Sequence, residues 1–251
     1  MDGFSLIDLL PFIAVGFAAQ LVDGALGMAF GTISATLLLS LGVPPAAASA
    51  GVHTVETFTT GVSGISHILH KNVDWKLFAR LAIPGVIGGV LGAYVLTQID
   101  AGDARPIVMT YLALIGIYLV WRGIRHDGEH RPAKVVEPLG LVGGFLDAAG
   151  GGGWGAVVTG NLLVQGHEPR KTIGTVNTAE FILTLTISAT FIFNLGWEAF
   201  TVATAGLLIG GVAAAPLGAF IAKKAPSKTL LVFVGCLLTV TSLYGVYKVL
   251  A

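Results

Sequence analysis

Charge is scarce in this sequence. Asp, Glu, Lys and Arg make up 11% of its 251 residues, less than half of the about 25% that soluble domains carry. Hydrophobic residues make up 54% and the mean hydropathy is +0.83, so a water-soluble globular domain is excluded and the lipid bilayer is the expected surroundings. Cysteine is nearly absent: Cys236 alone permits no intrachain disulfide and no thiolate-built metal or redox centre, and no cofactor is expected. Fourteen basic residues against fourteen acidic ones leave no surplus of positive charge for nucleic acid. No secretory signal is expected either. The opening "MDGFSLIDLL" has Asp2 and Asp8 where such a signal carries Lys or Arg, so the N-terminus is expected to be retained. No metal-ligand cluster, nucleophile elbow or phosphate loop occurs, and "GGGGWG" lacks the preceding strand of a nucleotide fingerprint, so no enzyme is expected.

Apolar stretches fill the chain instead. Those at 46 to 70, 76 to 98, 104 to 121, 170 to 195, 199 to 222 and 228 to 247 are each near the ~20 residues that cross hydrocarbon as helix. The polar segment "RGIRHDGEHRPAKVVEP" at 122 to 138 reads as a connector, dividing the chain into a first membrane repeat (1 to 121), a connector (122 to 137) and a second repeat (138 to 251).

The repeat is visible without a gap. Laying 23 to 56 over 147 to 180 gives 11 identities in 34 positions, against roughly three expected by chance. They include Asp23/Asp147, Gly31/Gly155, Pro45/Pro169, Thr54/Thr178 and Glu56/Glu180. The match resumes after a two-residue shift, with "NVDWKLF" at 72 answering "NLGWEAF" at 194 and "IGGV" at 87 answering "IGGV" at 209. Each repeat opens with a pair of short segments joined at glycines and continues with three long ones. In the second repeat, 138 to 148 and 154 to 165 are 11 and 12 residues long, ~17 Å each as helix or about half the hydrocarbon core, which predicts a re-entrant hairpin. The first pair, about 4 to 22 and 26 to 41, fits either a re-entrant hairpin or two tilted spans. Either way each repeat crosses an odd number of times, so the second is inverted relative to the first. The expected fold is an all-α polytopic membrane protein of two inverted repeats.

On that topology Lys71, Lys76, Arg80, Arg122, Arg125, Arg131, Lys134, Arg170, Lys171, Lys223, Lys224 and Lys228 share one face, with Arg105 and Lys248 opposite. The positive-inside rule makes the basic face cytoplasmic and both termini external, and Trp75, Trp121 and Trp197 fit the interfacial belt. Four acids remain within the membrane: Asp23, Asp147, Glu56 and Glu180. A carboxylate at the bilayer centre costs at least ~2.5 kcal/mol, so each needs a partner, a proton or water.

Helical spacing puts His53, Glu56 and Thr60 on one face, and Asn177, Glu180 and Thr184 on the matching face of the second repeat. Thr54 and Thr178 stand beside them. The hairpin tips contribute Gly27, Gly31 and Thr32 in the first repeat, and Gly150, Gly151, Gly152, Gly153, Trp154 and Gly155 in the second. A half-helix that starts in mid-membrane turns free N–H groups and its positive end toward the tip, which is an anion site. Asp23 and Asp147 either cap the broken helices or, with Glu56 and Glu180, manage charge during coupling or gating; the glutamates alternatively serve as protonated links between helices. Gly85, Gly88, Gly89, Gly92, Gly206, Gly210 and Gly211 read as close helix packing, which suits contacts within one chain or a homodimer.

An Asp followed by a glycine-rich turn and then by a proline-opened helix ("GVPPAAASAGVHTVETF", "GHEPRKTIGTVNTAEF"), present in both halves, resembles the sulfite exporter TauE/SafE family, also called toluene sulfonate uptake permeases. The likeness covers essentially the whole chain. It implies ion-coupled export of small sulfur-containing anions (sulfite, sulfoacetate or other organosulfonates) across the bacterial cytoplasmic membrane, with a proton or sodium as the coupling ion. A passive anion channel and a non-transporting membrane scaffold are the alternatives.

Overall fold

The computed structural model describes residues 6–26, 28–125, 134–165, 167–196 and 202–222, with scattered positions between 232 and 247. Every regular element among them is a helix. The first half contains α1 (Leu6–Leu26), α2 (Phe30–Ser40), α3 (Pro45–Leu69), α4 (Trp75–Gln98) and α5 (Ala101–Ile124). The second contains α6 (Glu137–Gly150), a π-helical turn (Gly155–Thr159) running into α7 (Gly160–Val164), then α8 (Pro169–Leu195) and α9 (Val202–Ala222). Five of the six long apolar stretches fall on α3, α4, α5, α8 and α9. The sixth lies largely outside the described residues, as do Gly27, Trp197, Arg131, Lys223, Lys224, Lys228 and Lys248. Local signals set the boundaries. Proline stands in the first turn of α3, α6 and α8, where its missing N–H has no partner to lose. Asp74 caps α4, its Oδ1 accepting from the N–H groups of Lys76 at 2.9 Å and Leu77 at 3.1 Å.

The polarity of the bundle is inside out. Asp23, His53, Glu56, Asp147, Asn177 and Glu180 are buried, whereas Phe58, Ile65, Ile83, Ile87, Leu91, Leu114 and Leu185 are exposed and Phe193 is 91% accessible. An apolar exterior around a polar centre is stable only if lipid, not water, surrounds it. Two helices, Trp75–Gln98 and the Lys171–Leu195 part of α8, are long and apolar enough to cross a membrane by themselves.

Three helix pairs make the most extensive contacts: α1 with α9, α4 with α6, and α3 with α8. Small residues bring the backbones together. Gly206 meets Leu9 and Phe12 while Gly210 meets Ile13 and Phe17, so α1 and α9 run parallel. Gly85 meets Gly140 while Gly92 meets Phe145, so α4 and α6 also run parallel. On α3, Gly61 faces Phe181 and Gly64 faces Thr178, so α3 and α8 run antiparallel. The sequence repeat equates α1 with α6, α3 with α8, and α4 with α9. Exchanging the halves therefore turns the first pair into the second and returns the third to itself. Of the glycines expected to suit packing, Gly85, Gly88, Gly92, Gly206 and Gly210 lie in these contacts, while Gly89 meets Leu183 and Ile187 of α8 and Gly211 meets Phe30 and Thr59.

Hydrogen bonds gather several turns at one end of the bundle. Lys171 Nζ donates to Lys71 O at 2.9 Å, Asp74 N–H donates to the Thr175 hydroxyl at 2.8 Å, and Gln165 Oε1 accepts from the N–H groups of Lys134 and Val135. Arg80 and Glu137 pair there through two hydrogen bonds, the longer 2.9 Å. Lys71, Arg80, Lys134 and Lys171 thus occupy one end, as the count of basic residues by side expects.

Two predictions follow from packing and charge. A Cβ on Gly88 would collide with the Leu141 carbonyl and lie 2.9 Å from Phe145 N, so Gly88→Val should destabilise the protein by about 1–3 kcal/mol in a detergent melt. Ile87→Ala on the exposed face should stay within about 0.5 kcal/mol. The hydrogen bonds from Arg80 hold the Glu137 carboxyl down at about 2. Because this lies below the ordinary glutamate value of 4.5, the pair's contribution is complete above that value and is lost as pH falls toward 2. The pair is exposed and its effect small: Glu137→Gln should lower the melting temperature slightly at pH 7, and the difference should shrink as the solution is acidified.

Candidate functional site

Asp23 lies in the last turn of α1 and Asp147 in the last turn of α6. Each reaches seven residues forward to the N–H at the start of the next helical segment: Asp23 Oδ1 accepts from Phe30 at 3.3 Å and Asp147 Oδ1 from Trp154 at 2.8 Å. Both aspartates thus accept from a free N–H that opens the next helical segment. Between Asp147 and Trp154 the chain reverses through Gly151, Gly152 and Gly153, with φ of 74°, 132° and 145°, values that favour glycine strongly. The N–H groups of Gly151 and Gly152 fold back onto Asp147 O. In the first hairpin the position equivalent to Gly153 is Ala29, whose φ is 105°. A side chain held there stores about 1–3 kcal/mol of strain, which persists only when the surroundings fix it; Ala29 and Phe30 are both buried.

The two tips touch. A Cβ on Gly31 would lie 2.7 Å from Gly152 Cα and 2.6 Å from Glu56 Oε1, and the Gly31 N–H is hydrogen-bonded to Glu56. Gly151 packs against Ala35 and Ser49. Thr32 is buried and its hydroxyl donates to Ala29 O at 3.2 Å.

Around the tips stand the two polar helix faces. His53, Glu56 and Thr60 on α3 are buried, as are Asn177, Glu180 and Thr184 on α8, so the helical spacing placed them correctly. Glu180 lies within electrostatic reach of Glu56, Asp23 and Asp147. Glu56 Oε2 and Glu180 Oε2 are buried and have no hydrogen-bond partner among the described residues. Lys71, Lys76, Arg80, Arg125, Lys134 and Lys171, the basic residues whose side chains the structure describes, all lie outside the buried centre.

One connection breaks the symmetry. His53 Nε2 lies 2.9 Å from Asp147 Oδ2, and His53 Nδ1 lies 2.7 Å from Ser49 O. A carbonyl oxygen only accepts, so Nδ1 carries a hydrogen. The Nε2 contact then needs one more proton, held either by the imidazole or by the carboxyl. The bridge therefore contains one proton in either form. The Ser49 hydroxyl donates to Ala148 O at 2.7 Å beside it, so α3 clasps the last turn of α6 by two side chains. In the second repeat the equivalent positions are Ile173 and Asn177. Asn177 donates to Ile173 O at 3.0 Å and accepts from the Ser63 hydroxyl at 3.4 Å, bonds directed to its own helix and to α3.

The remaining residues singled out in the sequence are placed as follows. Thr54 and Thr178 turn their hydroxyls back onto Ala50 O and Gly174 O of their own helices. The Trp154 ring is fully buried in a slot beside Gly85 and Gly143, and its indole N–H donates to Val176 O at 3.3 Å, so its backbone rather than its ring belongs to the tip. Gly150 ends α6 and Gly155 begins the π-turn; Gly27 is outside the described residues. Sequence reasoning missed Ser49 and Tyr111. Ser49 is four residues before His53 and shares its helix face, a signal that was available. Tyr111 sits on α5, whose pattern is simply apolar.

The His53–Asp147 bridge can be measured by a double-mutant cycle with His53→Asn and Asp147→Asn. A coupling energy of about 1–3 kcal/mol is expected from melts in detergent; additive effects would mean that the contact carries no energy.

Comparison with known proteins bears on this arrangement. The family model "Sulfite exporter TauE/SafE" matches residues 12–245. The chain is 42% identical over 239 residues to "Probable membrane transporter protein YtnM" of Bacillus subtilis, covering 90% of this chain and 79% of that protein. It is 30% identical over 116 residues to "Probable membrane transporter protein YunE" of the same organism, covering 45% of this chain and 41% of that protein. It is 27% identical over 118 residues to "Sulfite exporter TauE/SafE family protein 3" of Arabidopsis thaliana, covering 47% and 25%. No solved structure matches significantly.

Proposed function

Because the chain belongs to the sulfite exporter TauE/SafE family, a family of membrane transporters, we propose that it is a proton-coupled secondary transporter that exports small sulfur-containing anions such as sulfite or sulfoacetate. The observation that carries this reading is the contact of Gly31 with Gly152 beside four buried carboxyls. Two half-helices turn their N-terminal ends toward one point, and such ends attract anions. The antiparallel run of α3 and α8, equivalent helices of the two repeats, supports an inverted-repeat architecture, and rocking of one repeat against the other supplies alternating access. The basic end of the bundle faces the cytoplasm of a bacterial cell and both termini lie outside.

The tips offer fewer donors than their glycines imply. Gly151 and Gly152 N–H groups are engaged by Asp147 O, Trp154 N–H by the Asp147 carboxyl, and Gly31 N–H by Glu56. Gly153 and Gly155 are therefore assigned the anion on the second hairpin. An anion beside ionised Glu56 and Glu180 is repelled; beside the protonated acids it gains hydrogen-bond donors. Proton binding and anion binding thus favour each other, which is the linkage of proton–anion co-transport, so export follows when the outward anion gradient outweighs the inward proton gradient.

The test is sulfite movement in proteoliposomes under an imposed pH gradient. Wild type should accumulate sulfite against its gradient. Glu56→Gln and Glu180→Gln should fold with near-native melting temperatures yet lose the pH dependence or stop transport. A double variant with unchanged rate and unchanged pH dependence would exclude both glutamates from coupling. Non-saturable flux without accumulation in wild type would point to a channel instead.

A further inference from the structure

Tyr111 on α5 is used neither by the capping scheme nor by the carboxyl cluster. Its ring lies against the second hairpin: a Cβ on Gly150 would meet ring atom Cδ1 at 2.7 Å, and a Cβ on Gly153 would lie 2.5 Å from the phenolic oxygen. Glycine at 150 and 153 is thus what lets the phenol approach the tip. The hydroxyl is buried and has no hydrogen-bond partner among the described residues. A buried hydroxyl without a partner is destabilising, and phenylalanine would fill the same space without that cost. The phenol sits at Gly153, one of the tip residues that Asp147 leaves unengaged, and it offers a neutral O–H donor. A neutral donor suits this centre, because it stabilises an oxyanion without forming an ion pair with the neighbouring carboxylates.

We propose that the Tyr111 hydroxyl is an anion-binding group, donating a hydrogen bond to an oxygen of a small sulfur oxyanion held at Gly153. This rests on the reading of the hairpin tips as the anion site. The phenol belongs to α5, outside both hairpins, so the bound anion ties α5 to the second hairpin in the loaded state. It also makes the site unequal, since the first hairpin has Ala29 where the second has Gly153.

Thermal melts of the full detergent-purified chain, titrated with sulfite and with sulfoacetate, compare wild type with Tyr111→Phe. Without ligand the variant should melt at or above wild type, because an unpartnered hydroxyl has been removed. With ligand its half-saturating concentration should rise about tenfold, the loss of one hydrogen bond to a charged acceptor. Equal half-saturating concentrations would overturn the role of Tyr111 while leaving the tip reading in place through the wild-type response. A wild type stabilised by neither anion would overturn the tip reading and this inference together. A variant melting well below wild type would show that the hydroxyl has a structural partner, which also overturns the proposal.

Discussion

The bridge between His53 and Asp147 is the contact on which the polar centre depends. It joins α3 of the first repeat to the last turn of α6 in the second, at 2.9 Å and in full burial. Asp147 also caps Trp154 through its other oxygen, so one carboxyl fixes both the position of the second hairpin and the start of its returning helix. The single proton in the bridge keeps it neutral overall, which suits a site that lipid surrounds. Losing that proton leaves two acceptors facing each other.

Glycine makes the rest possible. The tips approach within the thickness of a backbone at Gly31 and Gly152, and the parallel pairs α1 with α9 and α4 with α6 close on glycine contacts. In lipid the hydrophobic effect does not drive helices together, so close packing and interhelical hydrogen bonds must do so. The centre is polar and the exterior apolar: Asp23, Glu56, Asp147 and Glu180 lie on helices that turn large apolar side chains outward.

Much of this was legible in the sequence, for identifiable reasons. The broken second pair was expected at 138 to 148 and 154 to 165 and is found at Glu137–Gly150 and Gly155–Val164, because three glycines with positive φ leave no helical alternative. The faces of α3 and α8 followed from period 3.6 alone. Three features were not legible. The pairing of His53 with Asp147 spans 94 residues of sequence, and local pattern carries no information at that range. The backward capping of Thr54 and Thr178 depends on rotamer. Tyr111 stands in an apolar run, where a phenol and a phenyl ring give the same hydropathy signal.

On the transporter reading the two glycine tips form one anion site. A crystal structure of the protein soaked with selenite, the heavier analogue of sulfite, tests it directly, because selenium can be located by its anomalous scattering. A single strong peak is expected between the hairpin tips, within hydrogen-bond distance of the Gly153 or Gly155 N–H. A peak only among Lys71, Lys134 and Lys171 at the basic end, with none at the tips, would contradict it.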